Sequence, residues 1–296
     1  MTGTVHMVRG GVYSVALEDG TKVDASLRGR LKLEEREGDQ VVIGDRVVLD
    51  VVQGDYVVEG ILDRDTQITR ARGGRRARVL VANADRMLAV VAARDPKPRS
   101  EQIDRLLVVG ESGGVEVALV INKMDLDGAP DVAKGLAGVY ESVGYTVLPV
   151  SATSGEGIPE LERMVSKGLS VFAGPSGAGK SSLLNALEPG LALRTGALSR
   201  RAGTGRHTTV TSQLIPLSCG GLLADTPGFG EVALWGVDQS DLDWCFPEFR
   251  AHREGCRFRS CSHLTEPDCA VQEALAAGDI DAGRFESYRT LWEEAG

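Results

Sequence analysis

No apolar run in this chain is long enough to cross a bilayer as a helix, and the first ten residues, Met1 to Gly10, lack the hydrophobic centre of a secretory signal. Neither a lipidation motif nor a basic amphipathic helix is present, which argues against a membrane partner. A cytoplasmic location is therefore the expectation. Cysteine is scarce, with 5 in 296 residues, too few for a disulfide scaffold of that size. Excess positive charge is absent too, since the formal net charge is −9, so a protein coated in basic surface is excluded while local basic patches are not. No internal repeat or long linker interrupts the chain. What remains, 42% hydrophobic and 25% charged residues, is a globular composition with room for two or three domains.

Residues 1–65 read as β-structure. Short runs such as Thr4–Val8, Val12–Leu17, Asp45–Asp50 and Tyr56–Val58 are broken by Gly10-Gly11 and Asp19-Gly20. That rhythm predicts a small barrel of the OB-fold type, an architecture that often binds nucleic acid. Arg70 to Arg78 follows, with five arginines in nine residues and no acid, and reads either as a solvated linker, with glycines that suggest mobility, or as a contact for RNA phosphates.

Strands then alternate with helices, which implies a doubly wound, mainly parallel sheet. Met87–Ala93, Val115–Ile121 and Tyr145–Val150 are the strands. Ser100 is placed as the cap of the first helix, and Val132 to about Val143 as the second, closed near Gly144. Next comes Leu169–Ala173, a buried strand, and then Gly174-Pro175-Ser176-Gly177-Ala178-Gly179-Lys180-Ser181, running into a helix from Ser182. Strand, glycine loop and helix in that order form a phosphate-binding loop. Glycines let backbone N–H groups close on phosphate oxygens, and the helix N-terminus adds its positive dipole end. Lys180 reaches the outer phosphates and takes part in catalysis, while the Ser181 hydroxyl serves Mg²⁺.

Two further motifs read the rest of a nucleotide. Asn122-Lys123-Met124-Asp125 follows a strand. A carboxylate at Asp125 accepts from both N1–H and the exocyclic amine of guanine, and adenine offers no such pair of donors. Lys123 can lie over the base, Asn122 can tie this loop to the phosphate loop, and Ser151-Ala152 can offer a backbone N–H to guanine O6. Asp225-Thr226-Pro227-Gly228 ends another strand, with Asp225 holding Mg²⁺ through water and the Gly228 N–H sensing the γ-phosphate. In the loop 194–210, Thr208 or Thr209 is the remaining Mg²⁺ ligand, with Thr208 preferred. After the Asp-x-x-Gly motif many GTPases carry a Gln that orients water. Here Phe229 stands instead, so His207 is the candidate catalytic group.

Near the C-terminus, Cys256-x₄-Cys261-x-His263-x₅-Cys269 supplies three thiolates and one imidazole, a closed tetrahedral zinc set with no open position. Cys219 and Cys245 have no ligand spacing and read as buried thiols.

These motifs run in the order NKMD, SA, GPSGAGKS, GRHTT, DTPGF and the cysteine cluster. In an ordinary GTPase the phosphate loop comes first. The chain thus resembles the RsgA (YjeQ) family of circularly permuted GTPases that depend on the small ribosomal subunit. The resemblance implies an N-terminal OB-fold barrel (1–65), a central permuted α/β P-loop GTPase domain (66–232) and a mainly helical zinc-binding domain (233–296). It implies GTP, GDP and Mg²⁺ as ligands, nucleotide contacts at Asn122–Asp125 and Gly174–Ser182, and zinc on Cys256, Cys261, His263 and Cys269, one per chain. As activity it implies subunit-stimulated GTP hydrolysis during late small-subunit assembly, with rRNA as a contact. A monomer is expected. Val210 stands where many relatives have another Thr, which leaves the loop's Mg²⁺ ligand open between Thr208 and Thr209. The alternative reading is a GTP-gated RNA-binding module whose hydrolysis only resets binding.

Overall fold

The computed structural model describes residues 1–29, 40–72, 75–191, 212–226 and 237–295, with the side chains of 70–77 left out. Five strands open the chain: β1 (Thr2–Arg9), β2 (Val12–Leu17), β3 (Lys22–Leu27), β4 (Arg46–Val52) and β5 (Asp55–Ile61). Their order is β1-β2-β3-β5-β4, and β4 pairs back onto β1, which closes a barrel. Closure removes free edges, and the interior is filled by Val5, Tyr13, Val15, Val47, Leu49 and Val58. β3 carries the sequence Lys-Val-Asp-Ala-Ser-Leu, an alternation of polar and apolar residues that the sequence reading did not include among its strands. Only its alternate residues Ala25 and Leu27 are fully buried, which is what a barrel strand needs.

The arginine-rich stretch is not a linker. It forms a two-stranded antiparallel hairpin, β6 (Gln67–Arg72) with β7 (Arg75–Ala82), in which Arg72 faces Arg75 across the turn. A Gly-Gly dipeptide between two strand-like runs is itself a hairpin signal, overridden in the sequence reading by the charge run.

The central sheet runs β10 (Thr146–Pro149), β9 (Glu116–Asn122), β8 (Arg86–Ala92), β11 (Leu169–Ala173), β13 (Leu222–Asp225), β12 (Ser212–Pro216). All of these neighbours pair in parallel except β12, which is antiparallel to β13. β11 lies in the middle with all five residues buried, as a strand covered on both faces must be. Helices α1 (Ser100–Ser112), α2 (Ala129–Ser142), α3 (Ile158–Val165) and α4 (Lys180–Leu187) cover the sheet, leaving one apolar cluster on each face. Three helix boundaries differ from the sequence reading, one being α4, which opens at Lys180 and not at Ser182. Ser100 lies inside α1, whose N-cap is the extended Arg99 with no side-chain cap. α2 starts three residues before Val132, because Pro130 fits the first turn of a helix, where its missing N–H costs nothing.

Barrel and central sheet are continuous. β1 pairs antiparallel with β12, so Met7 stands opposite Gln213 and Val8 opposite Ser212. Gln213 in turn faces Asp225 on β13, which sets Asp225 only two strands from the barrel.

After residue 236 the chain forms short turns and three helices, α5 (Pro247–Arg250), α6 (Ala270–Ala277) and α7 (Ala282–Ala295). Phe246, Phe249, Tyr288 and Leu291 build their core, and Val108 of α1 completes it from the central unit. A buried ion cluster crosses the same boundary. Arg284 on α7 donates to Asp104 of α1 at 2.6 Å and to both oxygens of Glu248 at 2.7 and 2.9 Å. Cys245 is a buried thiol as read from sequence, whereas Cys219 is only half-buried.

Candidate functional site

The phosphate loop occupies the C-terminal end of β11, between β8 and β13. Two of its glycines are demanded by close approach. A Cβ on Gly174 would sit 2.0 Å from the Val90 carbonyl oxygen, and one on Gly179 would sit 2.2 Å from Asn122 Nδ2. Gly179 also has φ of 93°, a left-handed conformation, as it caps α4. No side chain caps that helix, so its first N–H groups stay directed at the loop. Ser181 and Ser182 lie in its first turn. Lys180 folds back over the loop and donates to the Gly174 and Pro175 carbonyls, at 2.5 and 3.0 Å. These carbonyls hold the ammonium over the loop, where it and the backbone N–H groups of the loop are the donors that phosphate oxygens require.

Burial pulls the Lys180 ammonium down to about 8. Phosphates favour its charged form. Above that pH the free protein must therefore take up a proton to bind nucleotide, so GTP affinity should fall as pH rises from about 7 to about 9. Titration calorimetry at about pH 8.5 in two buffers of different ionisation enthalpy should report net proton uptake. Binding without proton uptake would contradict the assignment.

Asn122 holds three segments together. Its Nδ2 donates to the Ala178 carbonyl at 2.9 Å, and its Oδ1 accepts the Ala152 N–H at 3.2 Å. The side chain is buried at 1% exposure, and both ends of its amide are engaged by these contacts. Lys123 has φ of 69° and donates through Nζ to the Asp95 carbonyl. The Met124 N–H reaches the Val150 carbonyl at 3.1 Å, which fixes the loop against the strand-end carrying Ser151. Asp125 is exposed, and Ser151 Oγ donates to its Oδ1 at 2.6 Å while accepting the Thr153 and Ser154 N–H groups. The backbone N–H groups of Ser151-Ala152, read from sequence as a donor to guanine O6, are engaged within the protein, that of Ser151 with the Glu156 carbonyl at 2.8 Å and that of Ala152 with Asn122 Oδ1. The Ser151 hydroxyl fixes the orientation of the Asp125 carboxylate through Oδ1. Asp225 ends β13 beside β11. His207, Thr208, Thr209, Gly228 and Phe229 lie outside the described residues.

Some distance along the chain, the three cysteines and His263 come together, with all four ligand atoms within 4.8 Å of one another. His263 Nδ1 is 3.5 Å from Cys256 Sγ and 3.4 Å from Cys269 Sγ, and those two sulfurs are 3.8 Å apart. Zinc at about 2.3 Å from sulfur and about 2.0 Å from nitrogen requires tetrahedral edges of about 3.8 Å between sulfurs and about 3.5 Å between sulfur and nitrogen. The three edges among Cys256, His263 and Cys269 match these values, and Cys261 lies within 4.8 Å of them as the fourth ligand of a zinc-compatible set. One neighbour escaped the sequence reading: Asp243, whose Oδ2 lies 3.3 Å from His263 Nε2 and accepts from Arg253 Nε at 2.7 Å.

With this geometry in hand, comparison with known proteins is direct. A family model described as RsgA GTPase matches residues 61–235. This chain belongs to the RsgA GTPase family. A curated member from Gemmatimonas aurantiaca, the small ribosomal subunit biogenesis GTPase RsgA, is 44% identical over 99% of this chain and 97% of its own. The crystal structure of YjeQ from Thermotoga maritima superposes with a TM-score of 0.79 at 34% identity, covering 99% of this chain and 98% of that one. The crystal structure of YloQ, a circularly permuted GTPase, gives 0.74 at 27% identity over 99% and 94%. RsgA membership makes the chain a GTPase and implies GTP, GDP and Mg²⁺ as its ligands. The OB-like barrel, permuted GTPase sheet and helical C-terminal unit agree with the fold class read from sequence. Among the described residues, no helix is long and apolar enough to cross a membrane.

Proposed function

We propose that this chain is a GTPase of small ribosomal subunit biogenesis, hydrolysing GTP to GDP and phosphate with the subunit as activator. The observation that carries the reading is Asn122. Its two bonds bring the guanine-reading loop, the Ser151-Ala152 turn and the phosphate loop into one site although their order along the chain is permuted. Curated relatives sharing this architecture are small ribosomal subunit biogenesis GTPases.

In the proposed cycle Asp125 reads guanine, and Lys123 lies over the base. Gly174 to Gly179, with Pro175, Ser176, Gly177 and Ala178 between them, wrap the phosphates. Lys180 neutralises charge that develops on the transferred phosphoryl group. Ser181 and Thr208 would hold Mg²⁺, with Asp225 behind a water; these are oxygen donors, as a hard cation requires. The bound ion supplies charge neutralisation at the phosphates. Gly228 offers its N–H to the γ-phosphate, and His207 orients water in place of the missing Gln. Cys256, Cys261, His263 and Cys269 would bind one zinc that supplies folding energy to the C-terminal unit. The barrel and the hairpin β6–β7 face rRNA, and the protein acts as a cytoplasmic monomer.

Single-turnover hydrolysis tests this, with saturating small subunits, large subunits or free rRNA. Small subunits alone should raise the rate by orders of magnitude, and His207→Ala should abolish the increase while sparing GTP binding. Equal stimulation by free rRNA would favour the reading as an RNA-binding module that hydrolysis resets. No stimulation by small subunits would overturn the proposal.

A further inference from the structure

A metal-ligating imidazole poses a problem of tautomers. Neutral imidazole has one N–H and one lone pair, and the metal takes the lone pair. Whatever accepts the remaining proton decides which nitrogen faces the metal. In this chain both halves of that choice are visible. Nδ1 of His263 faces the sulfurs of Cys256 and Cys269. Nε2 faces Asp243 Oδ2, which belongs to a turn 20 residues earlier in the chain. The imidazole is 1% exposed and Asp243 is 6% exposed, so water does not compete for the N–H.

A carboxylate buried at such a place costs free energy unless it is paired. Arg253 supplies the pair through Nε, at 2.7 Å from the same Oδ2. The Arg253 guanidinium is itself steadied at 5.4 Å from the ring centre of Trp244. The ring of His263 is further confined edge-on by Phe249, with centroids 5.9 Å apart. His263 has φ of 61°, so its backbone sits in a sparsely populated region that its surroundings must maintain. Gln272 helps by donating to the His263 carbonyl at 3.1 Å.

We propose that Asp243 is a positioning residue for the metal: it accepts the Nε2–H of His263 and so commits Nδ1 to zinc, with Arg253 holding the carboxylate in place. The inference rests on reading the cysteine cluster as a zinc site and adds to it a residue outside the four ligands. Zinc then depends on a carboxylate–imidazole pair whose far end reaches the surface through Arg253. Partners of this kind raise the basicity of the ligand and restrict its rotation, and losing one typically costs about 10- to 100-fold in metal affinity.

The test uses the zinc-loaded full chain. Zinc release to a chromogenic chelator should be about 10- to 100-fold faster in Asp243→Ala than in wild type. Asp243→Asn keeps an oxygen that accepts the Nε2–H and should recover part of the loss. Arg253→Gln leaves both ligand and carboxylate present and should give a smaller acceleration. Nitrogen-15 labelling of the 4 histidines gives the second readout. In the zinc-loaded wild type, His263 should carry its proton on Nε2 and show the metal-bound shift on Nδ1. GTP affinity, measured in parallel, reports whether the central sheet remains folded. If Asp243→Ala fails to fold, the tautomer in wild type and the release rate of Arg253→Gln decide. Wild type without bound metal would remove the zinc reading and this proposal with it. A metal-loaded wild type bound through Nε2, or a wild-type release rate in Asp243→Ala, would overturn the positioning role alone.

Discussion

Asp125→Asn is expected to weaken GTP binding by about a hundredfold or more and to create affinity for xanthosine triphosphate. In the proposed site the carboxylate would accept from two N–H donors of guanine, and hydrogen bonds to a charged acceptor are worth about 1.5–3 kcal/mol each. Ser151 Oγ holds Oδ1 at 2.6 Å and so sets the direction of the other oxygen. An amide at 125 presents one acceptor and one donor. The donor clashes with the guanine amine and suits the xanthine carbonyl at the same position. Affinities for both nucleotides, measured by competition, check the result. An unchanged preference for GTP would exclude Asp125 as the base reader.

Removing Arg284 should have the largest effect on stability. Its guanidinium is 2% exposed and is the shared partner of Asp104, at 0%, and Glu248. Tyr140 also donates to Asp104 Oδ1, at 2.9 Å, so the cluster joins α1 and α2 of the GTPase sheet to α7. Burial works against the charge on Arg284, but Asp104 and Glu248 outweigh it and hold its pKa above the ordinary value. Burial pushes the Asp104 carboxyl upward, the cost of placing a carboxylate there, and the charge of Arg284 offsets that cost in part. Phe246 lies 4.8 Å from the guanidinium carbon and excludes water. Arg284→Ala leaves two carboxylates buried without their cation, and losing one partner of such a cluster costs about 3–5 kcal/mol. Arg289→Ala, which breaks an exposed pair with Glu286, should cost about 1 kcal/mol at most. Denaturant midpoints and hydrogen exchange across α7 should separate the two. The outcome that contradicts this account is equal stability of the two variants.

How much was legible in the chain itself follows from the range of each signal. The phosphate loop, the Asn122–Asp125 loop and the cysteine spacing are local patterns, in which chemistry fixes residue type within a few positions. The alternation of strands and helices was local as well and yielded the doubly wound sheet, and the rhythm of short strands and glycine turns yielded the barrel. Where two local signals competed, the wrong one was chosen: five arginines around Gly73-Gly74 spoke for a linker, whereas strand pairing from Gln67 to Ala82 made a hairpin. β3 was missed although Lys-Val-Asp-Ala-Ser-Leu alternates polar and apolar residues, the period of a half-buried strand.

Tertiary structure alone decided the contacts between distant segments. Asp104 and Arg284 meet across 180 residues, Asn122 and Ala178 across 56, and Asp243 and His263 across 20. The pairing of β1 with β12, which makes barrel and GTPase sheet one surface, likewise has no local mark. The physical reason is common to these cases. Each partner alone is an ordinary polar residue or an ordinary strand edge, and its value appears only when folding removes water from both at once. The sequence by itself therefore determined which chemistry the chain carries, and the packing of the three units decided how those groups are aimed and held.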